Sequence, residues 1–291
     1  MSKFLSDAAS QMFDDEVKHQ YQAMDGAGAL EGTVTVRRNV VGNTYNFRRM
    51  GRGVAKQKTV SQADLIPLDV AHTLIPAVLQ NWHASEYTDI FDKADVNFDE
   101  VSELAMTIAW ALKRREDQLI IDAVSQPPAA AGTPIADIVL ATVFTVTALR
   151  RASGALNARG VMGRMRHCAI TALSLEHLLA STNAVSGDFN TVRALVNGEI
   201  DTFVGFMFHM IDDRDEGGIL GAAANKELLF WHEMSTGLAI GIDFETTVDW
   251  VPQKGSWLSS GFLKAQSVVR DAGGVVTVQV DETAAVTVGP T

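Results

Sequence analysis

The residues that could do chemistry are few, and their spacing matches no catalytic or metal-binding pattern. The seven histidines contain no His-Glu-x-x-His pair, and no two lie four positions apart on a helix as a zinc site requires. His167 and Cys168 are adjacent in a predicted strand and point to opposite faces, so we do not expect them to share a metal ion with His177. The same orientation separates the thiol of Cys168 from the imidazole that would activate it as a nucleophile.

Other catalytic signatures are also missing from the sequence. There is no Gly-x-Ser-x-Gly elbow, and the glycines at 154, 160 and 163 do not match a P-loop or dinucleotide-binding fingerprint. The carboxylate pairs at 212–213 and 215–216 lie in a polar, glycine-bordered loop, where solvated charge is the ordinary interpretation. Cys168 is the only cysteine, which excludes an internal disulfide and favours a small core residue. The sequence therefore predicts a protein that is not an enzyme and needs no cofactor.

Charge is distributed unevenly along this acidic chain. The formal net charge is −11, which argues against a dedicated nucleic-acid binder because phosphate contacts require clustered Lys and Arg. Between Gly32 and Ala63, however, the chain contains no acidic residue. The cations of this segment are Arg37, Arg38, Arg48, Arg49, Arg52, Lys56 and Lys58. A cationic segment in an anionic chain favours an anionic partner, which other copies of the same chain would supply.

This cationic segment is predicted to form a two-stranded ribbon. Thr33–Val36 and Val40-Val41 have the composition of one strand, Gly42-Asn43 that of a turn, and Thr44–Phe47 that of a second strand. An isolated ribbon of two strands is marginally stable in water. We therefore expect it to lie against something outside its own domain, and a solvated surface hairpin is the alternative.

Aromatic residues lie among these cations and leave two kinds of partner open. Tyr45 and Phe47 could stack on bases beside the arginines, as in proteins that bind single-stranded nucleic acid. The competing interpretation is an arginine-rich ribbon that binds carboxylates of a neighbouring subunit, which the overall acidity favours. A second group of arginines lies in a stretch without acids, from Ile138 to Leu175, and could line a further intersubunit contact. Its members are Arg150, Arg151, Arg159, Arg164 and Arg166.

A long helix is expected to position these segments. Asn97 is a predicted N-cap with Glu100 as its capping-box partner, and an apolar stripe of helical period continues to Val124. Pro127 ends the pattern. The predicted spine helix, residues 98–124, would be about 40 Å long, which is the diameter of a domain.

The remaining segments alternate between helical and strand patterns without an internal repeat, which predicts an α+β fold. The first 25 residues have helical spacing, and 129–134 have the composition of a linker. Helices are predicted at 141–159 and 173–181, and strands at 167–171, 200–210, 228–231, 239–243, 246–251, 265–270, 275–280 and 286–288. No apolar run approaches the ~20 residues that cross a bilayer, and no secretory signal is present, so we expect no membrane contact.

Three segments carry a family resemblance when they are taken in order. The first is Phe91-Asp92 followed by 98–124, with Ala-Leu-Lys-Arg-Arg-Glu-Asp-Gln at 111–118. The second is Ala-Leu-Val-Asn-Gly-Glu-Ile-Asp-Thr-Phe-Val-Gly-Phe at 194–206, and the third is Lys-Glu-Leu-Leu-Phe-Trp at 226–231 with Gly-Leu-Ala-Ile-Gly at 237–241. Together they resemble the tailed-bacteriophage major capsid protein over nearly the whole chain.

The resemblance implies the tailed-phage major capsid fold and its function. We expect an N-terminal arm at 1–31, an E-loop β-hairpin at 32–63, and a peripheral domain at 64–130 that the C-terminal strands at 246–291 complete. An axial domain at 131–245 is expected to meet its copies at the centres of pentamers and hexamers. The implied function is self-assembly into an icosahedral shell around the double-stranded DNA of a tailed bacteriophage. The E-loop residues expected to contact a neighbouring subunit are Arg37, Arg38, Tyr45, Phe47, Arg48, Arg49, Arg52, Lys56 and Lys58.

The resemblance also implies partners. These are other copies of the chain, a portal, packaged DNA contacted non-specifically, and, as a further candidate, a decoration protein. An arm that begins at Met1 leaves no room for a scaffolding segment, which implies a separate scaffolding protein or assembly without one. The shell would belong to the virion and assemble in the cytoplasm of the host bacterium. Two alternatives stay open: an encapsulin-like shell around a cargo protein, and a single-stranded nucleic-acid binder that uses the ribbon.

Overall fold

The fold is described from a computed structural model, for residues 30–62, 64–91, 100–132, 138–139, 143–180, 203–211 and 216–284. The helices are α1 (Glu100–Ser125), α2 (Val146–Ala158) and α3 (Ala172–Ala180). The strands are β1 (Thr35–Arg37), β2 (Thr44–Met50), β3 (His72–Val78), β4 (Gln80–Asp89), β5 (Ile138–Val139), β6 (Arg166–Ile170), β7 (Phe206–Met210), β8 (Lys226–His232), β9 (Thr236–Val251), β10 (Ser256–Val269) and β11 (Val275–Val280).

The strands form two sheets and a two-stranded ribbon. The four-stranded sheet has the order β1-β9-β10-β4, the five-stranded sheet has the order β5-β11-β8-β6-β7, and β2 pairs with β3 in the ribbon. Helices and mixed sheets share one chain, so the predicted α+β class is confirmed. None of the described helices is long and apolar enough to cross a membrane.

Helix α1 is the predicted spine helix, and it packs along the four-stranded sheet. Ile108 and Leu112 on its apolar stripe contact β10 at Gly261, where a Cβ would lie 2.6 Å from Ile108 Cγ2 and 2.8 Å from Leu112 Cδ1. Further along the helix, residues 116–121 are buried all the way round. Because no outward face is left in this part, α1 must be surrounded by other elements there.

The five-stranded sheet carries α2 and α3 on one face. Leu149 of α2 and Leu178 of α3 pack in one core cluster with Cys168 of β6. His167, the neighbour of Cys168, lies instead beside Trp231, with the ring centroids 6.0 Å apart, and Trp231 belongs to the other core cluster. The predicted alternation of His167 and Cys168 across the sheet is therefore confirmed.

The strand pairing near the start of the described chain differs from the predicted hairpin. β1 pairs in parallel with β9, and β2 pairs antiparallel with β3, so no ladder closes at Gly42-Asn43. The backbone N–H of Val40 donates to the carbonyl oxygen of Ile240 at 3.0 Å, which continues the attachment to β9. The prediction fails because one edge of the buried strand β9 is open to pairing. That edge supplies hydrogen-bond partners to the backbone of this segment, and its surroundings cover the apolar side chains.

Other differences concern strands and boundaries. β3 and β4 are missing from the prediction, since Pro76 interrupts the strand pattern; a ribbon strand tolerates it because proline lacks only one donor. The predicted strands 239–243 and 246–251 form one strand, β9, so the predicted domain boundary at 245 falls inside it. β11 was expected among the C-terminal strands that complete the peripheral domain, but it pairs with β8 in the five-stranded sheet. The predicted helix in residues 1–25, the Asn97 cap, most of 194–206 and the strand at 286–288 lie outside the described residues.

The contact at Gly261 makes a stability prediction. Gly261→Ala is expected to destabilise the fold by about 1–3 kcal/mol, because the new methyl group overlaps Ile108 and Leu112. Urea unfolding followed by circular dichroism measures the change. The matched control is Gly154→Ala in α2, where no atom lies within 4 Å of the new Cβ and the helix gains about 0.5–1 kcal/mol. Equal stability of the two variants would contradict the packing described here.

Candidate assembly surface

The β2–β3 ribbon has one buried face and one exposed face, because side chains alternate along a strand. Phe47 points inward and pairs across the ribbon with Ile75, and both side chains are buried. Arg48 and Met50 point outward, and Met50 is 67% exposed. The ribbon therefore belongs half to the core of its own chain and half to the surface.

The inward face places the predicted aromatic residues inside the subunit. The ring of Phe47 lies against Gly237, where a Cβ would be 2.7 Å away, and Tyr45 meets Phe47 edge-on with the ring centroids 4.8 Å apart. The guanidinium of Arg270 lies 5.6 Å from the Phe47 ring centroid. Phe47, which is predicted to contact a neighbouring subunit, is only 4% exposed within its own chain. Phe47 is unavailable for base stacking for the same reason.

Arg38 also has its partners within the chain. Its guanidinium forms ion pairs with Glu31 and with Asp243 of β9. All three side chains are partly exposed, so each pair contributes modestly to stability. The pairs nevertheless join the start of the described chain to the middle of β9.

Two further arginines attach the ribbon to distant parts of the subunit. Arg49 donates to the carbonyl oxygen of Ala131 at 2.7 Å, and its Nη2 lies 3.1 Å from Asp271 Oδ1. Arg52 donates to the carbonyl oxygen of Arg159 at 2.5 Å. These residues line a cleft of about 370 Å³ between the ribbon, the end of α2 and the turn before β11. Arg49 and Arg52, predicted as intersubunit contacts, thus have partners in their own chain.

The other predicted contact cations are exposed. Arg37, Arg48, Lys56 and Lys58 have no ion-pair partner among the described residues. The only polar contact described for these four side chains joins the ammonium of Lys56 to the carbonyl oxygen of Pro67, at 3.4 Å. Exposed charge without a partner is available to a second molecule.

The loop Gly51–Ala71, which we call the ribbon tip, joins β2 to β3. Every described residue of the tip from 51 to 69 is exposed, including several large apolar side chains. These are Val54, Val60, Leu65, Ile66 and Leu68, which are 52–84% exposed. Exposed apolar residues in such density are typical of surfaces that bind another molecule.

The centre of α1 holds two chain segments in place. Asp117 Oδ1 accepts a hydrogen bond from the backbone N–H of Leu30 at 3.1 Å. Gln118 accepts from the N–H of Gly218 at 2.7 Å and donates to its carbonyl oxygen at 3.2 Å. Buried hydrogen bonds of this kind are costly to leave unmade. Part of the segment 111–118, which carries the family resemblance, therefore acts by positioning the backbone.

Glu116 belongs to the same turn of α1. Burial raises the pKa of its carboxyl, and the Lys113 ammonium, 3.1 Å away, opposes that increase. Glu31 Oε2 also lies near this ammonium, 3.9 Å from Lys113 Nζ. The positive charge of Lys113 thus offsets the negative charges of two carboxylates, where the segment at residue 31 approaches helix α1.

The second predicted arginine group, like the first, contains both residues with partners inside the chain and exposed residues. Arg166 is buried and donates to the carbonyl oxygen of Met162 and to Asn157 Oδ1, at 2.8 and 2.7 Å. Its guanidinium therefore has its partners within the chain, in α2 and in the loop before β6. Arg150 and Arg151 are exposed on α2.

The histidines form no metal site in the described part of the chain. His167 Nδ1 lies 3.1 Å from His209 Nε2, but no three potential ligands come together. Burial lowers the pKa of His167 to about 4, with His209 and His232 adding to the decrease, and burial also lowers the pKa of His209. Burial raises the pKa of the Cys168 thiol, which disfavours the thiolate that a nucleophile requires.

Comparison with known proteins relates this geometry to a family. The sequence model of the family described as phage capsid protein matches residues 5–282. The chain belongs to the phage capsid protein family. It is therefore a structural subunit of the virion shell. No curated protein matches the sequence.

Solved structures share the fold of this capsid protein at low sequence identity. A capsid subunit of the cyanophage P-SCSP1u has a TM-score of 0.76 and 16% identity, with 96% of this chain and 95% of that chain covered. One from the capsid of a native GTA particle has a TM-score of 0.69 and 15% identity, with 96% and 99% covered. The head of Helicobacter pylori bacteriophage KHP40 has a TM-score of 0.69 and 8% identity, with 96% and 97% covered.

The adjacent arginines of β2 make a paired prediction. Arg49→Met is expected to destabilise the capsid protein by about 2 kcal/mol, because charge-assisted hydrogen bonds to Ala131 and Asp271 are lost. Arg48→Met, on the outward face, is expected to change stability by no more than about 0.5 kcal/mol. Urea unfolding of both variants measures the difference, and a larger loss at Arg48 would contradict this assignment of faces.

The buried histidine makes a prediction about pH. His167 takes up a proton near pH 6.5 in the unfolded chain but only near pH 4 in the folded chain, so the unfolded state binds more protons between these values. The free energy of unfolding should therefore decrease by up to about 3 kcal/mol as the pH falls through this window.

The variant His167→Gln keeps a polar group but does not titrate, so its free energy of unfolding should depend less on pH between 6.5 and 4. Urea titrations at several pH values measure the slopes. The matched control is Asn46→Gln on the exposed ribbon face, which replaces no titrating group and should retain the slope of the original protein. An unchanged slope in His167→Gln would contradict the role given to burial.

Proposed function

We propose that copies of this capsid protein assemble into the pentamers and hexamers of an icosahedral shell around the double-stranded DNA of a tailed bacteriophage. The family match over residues 5–282 is the observation that carries this function. Low-identity structures that share the fold along the full length support the same conclusion for the shape of the subunit. In this proposal the protein acts by geometry and not by catalysis, because the family that it belongs to is that of a structural protein.

The ribbon tip is the part of the subunit that we assign to a neighbour. Its apolar side chains and its two lysines have little to bind in their own chain. Arg48 extends the same surface along the ribbon. We therefore assign the E-loop to residues 44–78, instead of 32–63, on the strength of the β2–β3 pairing. A peripheral domain around α1 and an axial domain around the five-stranded sheet remain our division of the rest.

Assembly from many such contacts needs no strong individual bond. Each exposed ion pair contributes about 1 kcal/mol or less, but every subunit of a closed shell makes several contacts at once. Weak contacts also allow a misplaced subunit to dissociate before the shell closes. Closed symmetry then leaves no free surface on which aggregation could continue.

Further partners follow from this role. We propose a portal, a separate scaffolding protein, non-specific contact with packaged DNA, and assembly in the cytoplasm of the host bacterium. The net charge of −11 supports loose contact with DNA, because like charges repel. A decoration protein would need an outer surface of the assembled shell.

The two alternative functions have less support. An encapsulin-like shell would have the same architecture, but the matching family is that of phage capsid proteins. A single-stranded nucleic-acid binder would present its aromatic rings to bases, whereas Phe47 is buried and Tyr45 packs against it. The function that we propose is therefore that of a phage shell subunit.

The test is assembly of the purified protein with and without its ribbon tip. Size-exclusion chromatography with negative-stain imaging should reveal rings, tubes or shells for the complete chain. Replacement of residues 54–69 by Asn-Gly should abolish them, because the intersubunit contact is removed. The dipeptide can close the ribbon, since Gly51 N–H already donates to the Ala71 carbonyl oxygen at 2.8 Å.

The shortened chain should keep its thermal unfolding transition, because no described residue between 54 and 69 is buried. This separates loss of assembly from loss of folding. The control Gly154→Ala alters an exposed helix position and should assemble normally. A complete chain that stays monomeric at high concentration, or shells formed equally well without the tip, would refute the proposal.

A further inference from the structure

A cavity of about 400 Å³ lies between β1, the ribbon strand β2 and the end of β10. Its lining residues are Arg37, Tyr45, Asn46, Phe47, Arg48 and Arg270. Three of the six carry a guanidinium group and none carries a carboxylate. The volume lies within the range of cavities that hold small molecules, about 300–1,000 Å³. The cavity therefore has the size of a ligand site and a cationic lining.

The three arginines of the cavity form no ion pair among the described residues. Asp271, the acid that follows Arg270 in the chain, pairs with Arg49 instead, at 3.1 Å. The Nε of Arg270 is buried and has no hydrogen-bond partner in the described part of the chain. Its backbone is fixed, because the N–H of Arg270 donates to the carbonyl oxygen of Ser235 at 2.7 Å. Like charges that converge without an acid between them are stabilised by an external anion.

Backbone donors add to this charge along the open edge of β2. Asn43 and Gly51 form backbone hydrogen bonds to the segment that contains β3. Because hydrogen-bonded and non-hydrogen-bonded positions alternate in an antiparallel pair, the N–H groups of Asn46 and Arg48 point away from β3. No residue of β3 lines the cavity, so these N–H groups point to its side of β2. Carbonyl oxygens of the same residues share the edge, so the positive charge of the cavity comes from the arginines.

This set of donors suits an anion of the phosphate class. The planar guanidinium fork forms paired hydrogen bonds with phosphate oxygens. A single carboxylate would neutralise one of the three positive charges, whereas a phosphate group with close to two negative charges neutralises more of them. The cavity is also larger than one phosphate group, so a chain of two or three phosphates fits it better.

We infer that this cavity binds a polyphosphate anion, either free or as the phosphate chain of a nucleotide. The anion joins Arg48 of the ribbon to Arg37 of β1 and to Arg270 at the end of β10, three segments whose charges otherwise repel each other. Binding therefore holds the ribbon against the body of the subunit. All three arginines belong to one chain, so binding does not depend on assembly into a shell.

Calorimetric titration of the purified full chain with pyrophosphate, in a buffer without phosphate, tests the site. Arg37→Met and Arg48→Met should each weaken binding by about tenfold, because each removes a charge-assisted hydrogen bond. The matched control is Arg150→Met, which alters an exposed arginine of α2 that does not line the cavity. This control should bind pyrophosphate like the original protein. Circular dichroism checks that every variant is folded.

The unaltered protein provides a second measurement. Phenylglyoxal labels accessible arginines, and mass spectrometry locates the labels. Pyrophosphate should protect Arg37 and Arg48 and leave Arg150 reactive. It should also raise the midpoint of thermal unfolding, since a ligand that binds only the folded state stabilises it, whereas sodium chloride at equal ionic strength should not.

Matched probes identify the source of the phosphates. Tighter binding of ATP than of tripolyphosphate would assign the ligand to a nucleotide, and equal or weaker binding would assign it to free polyphosphate. A single-stranded oligonucleotide, or a peptide of residues 10–20, that binds the cavity more tightly than tripolyphosphate would overturn the inference in favour of nucleic acid or of an acidic chain segment. Labelling of Arg37 and Arg48 that pyrophosphate does not reduce, or equal affinities of these two variants and the control, would also overturn it.

Discussion

The packing of helix α1 on the four-stranded sheet is the contact on which the other elements depend. The helix approaches β10 closely because residue 261 has no side chain, and Ile108 and Leu112 fill the space. Its centre is buried all round, so polar groups there must find partners inside the protein. Asp117 and Gln118 bind backbone groups of segments about a hundred residues distant in sequence. One helix thereby fixes the start of the described chain, the sheet and the loop before β8.

The ribbon illustrates how a single element can serve both the fold and the assembly. Alternation along β2 sends Phe47 and Arg49 into the subunit and Arg48 out of it. The inward residues hold the ribbon in one direction, through the Phe47–Gly237 contact and the bonds of Arg49. A ribbon held in this way can present its tip at a defined distance from the body. Part of the conformational entropy that association would remove has then already been lost before a second copy binds.

Charge is used partly by the fold and partly left at the surface. Among the described residues, Arg48, Lys56 and Lys58 lie on the ribbon without an ion pair. Arginines such as Arg38 and Arg166 bind partners within the fold, so their charge is not available to a second copy. Counting charges along the chain therefore overestimates the surface available for assembly.

The sequence by itself determined the elements whose signals are local. The spine helix follows from its apolar period and α1 ends near the predicted residue, and the alternation of His167 and Cys168 follows from the strand pattern. Only the tertiary structure decided which strands pair and which face of each is buried. The predicted hairpin at Gly42-Asn43 was wrong because β1 finds its partner in β9, some two hundred residues away. The period of two in Tyr45, Phe47 and Arg49 is visible in the sequence, but what covers that face is not. Pairing and coverage depend on contacts between distant segments, and a local pattern carries no information about them.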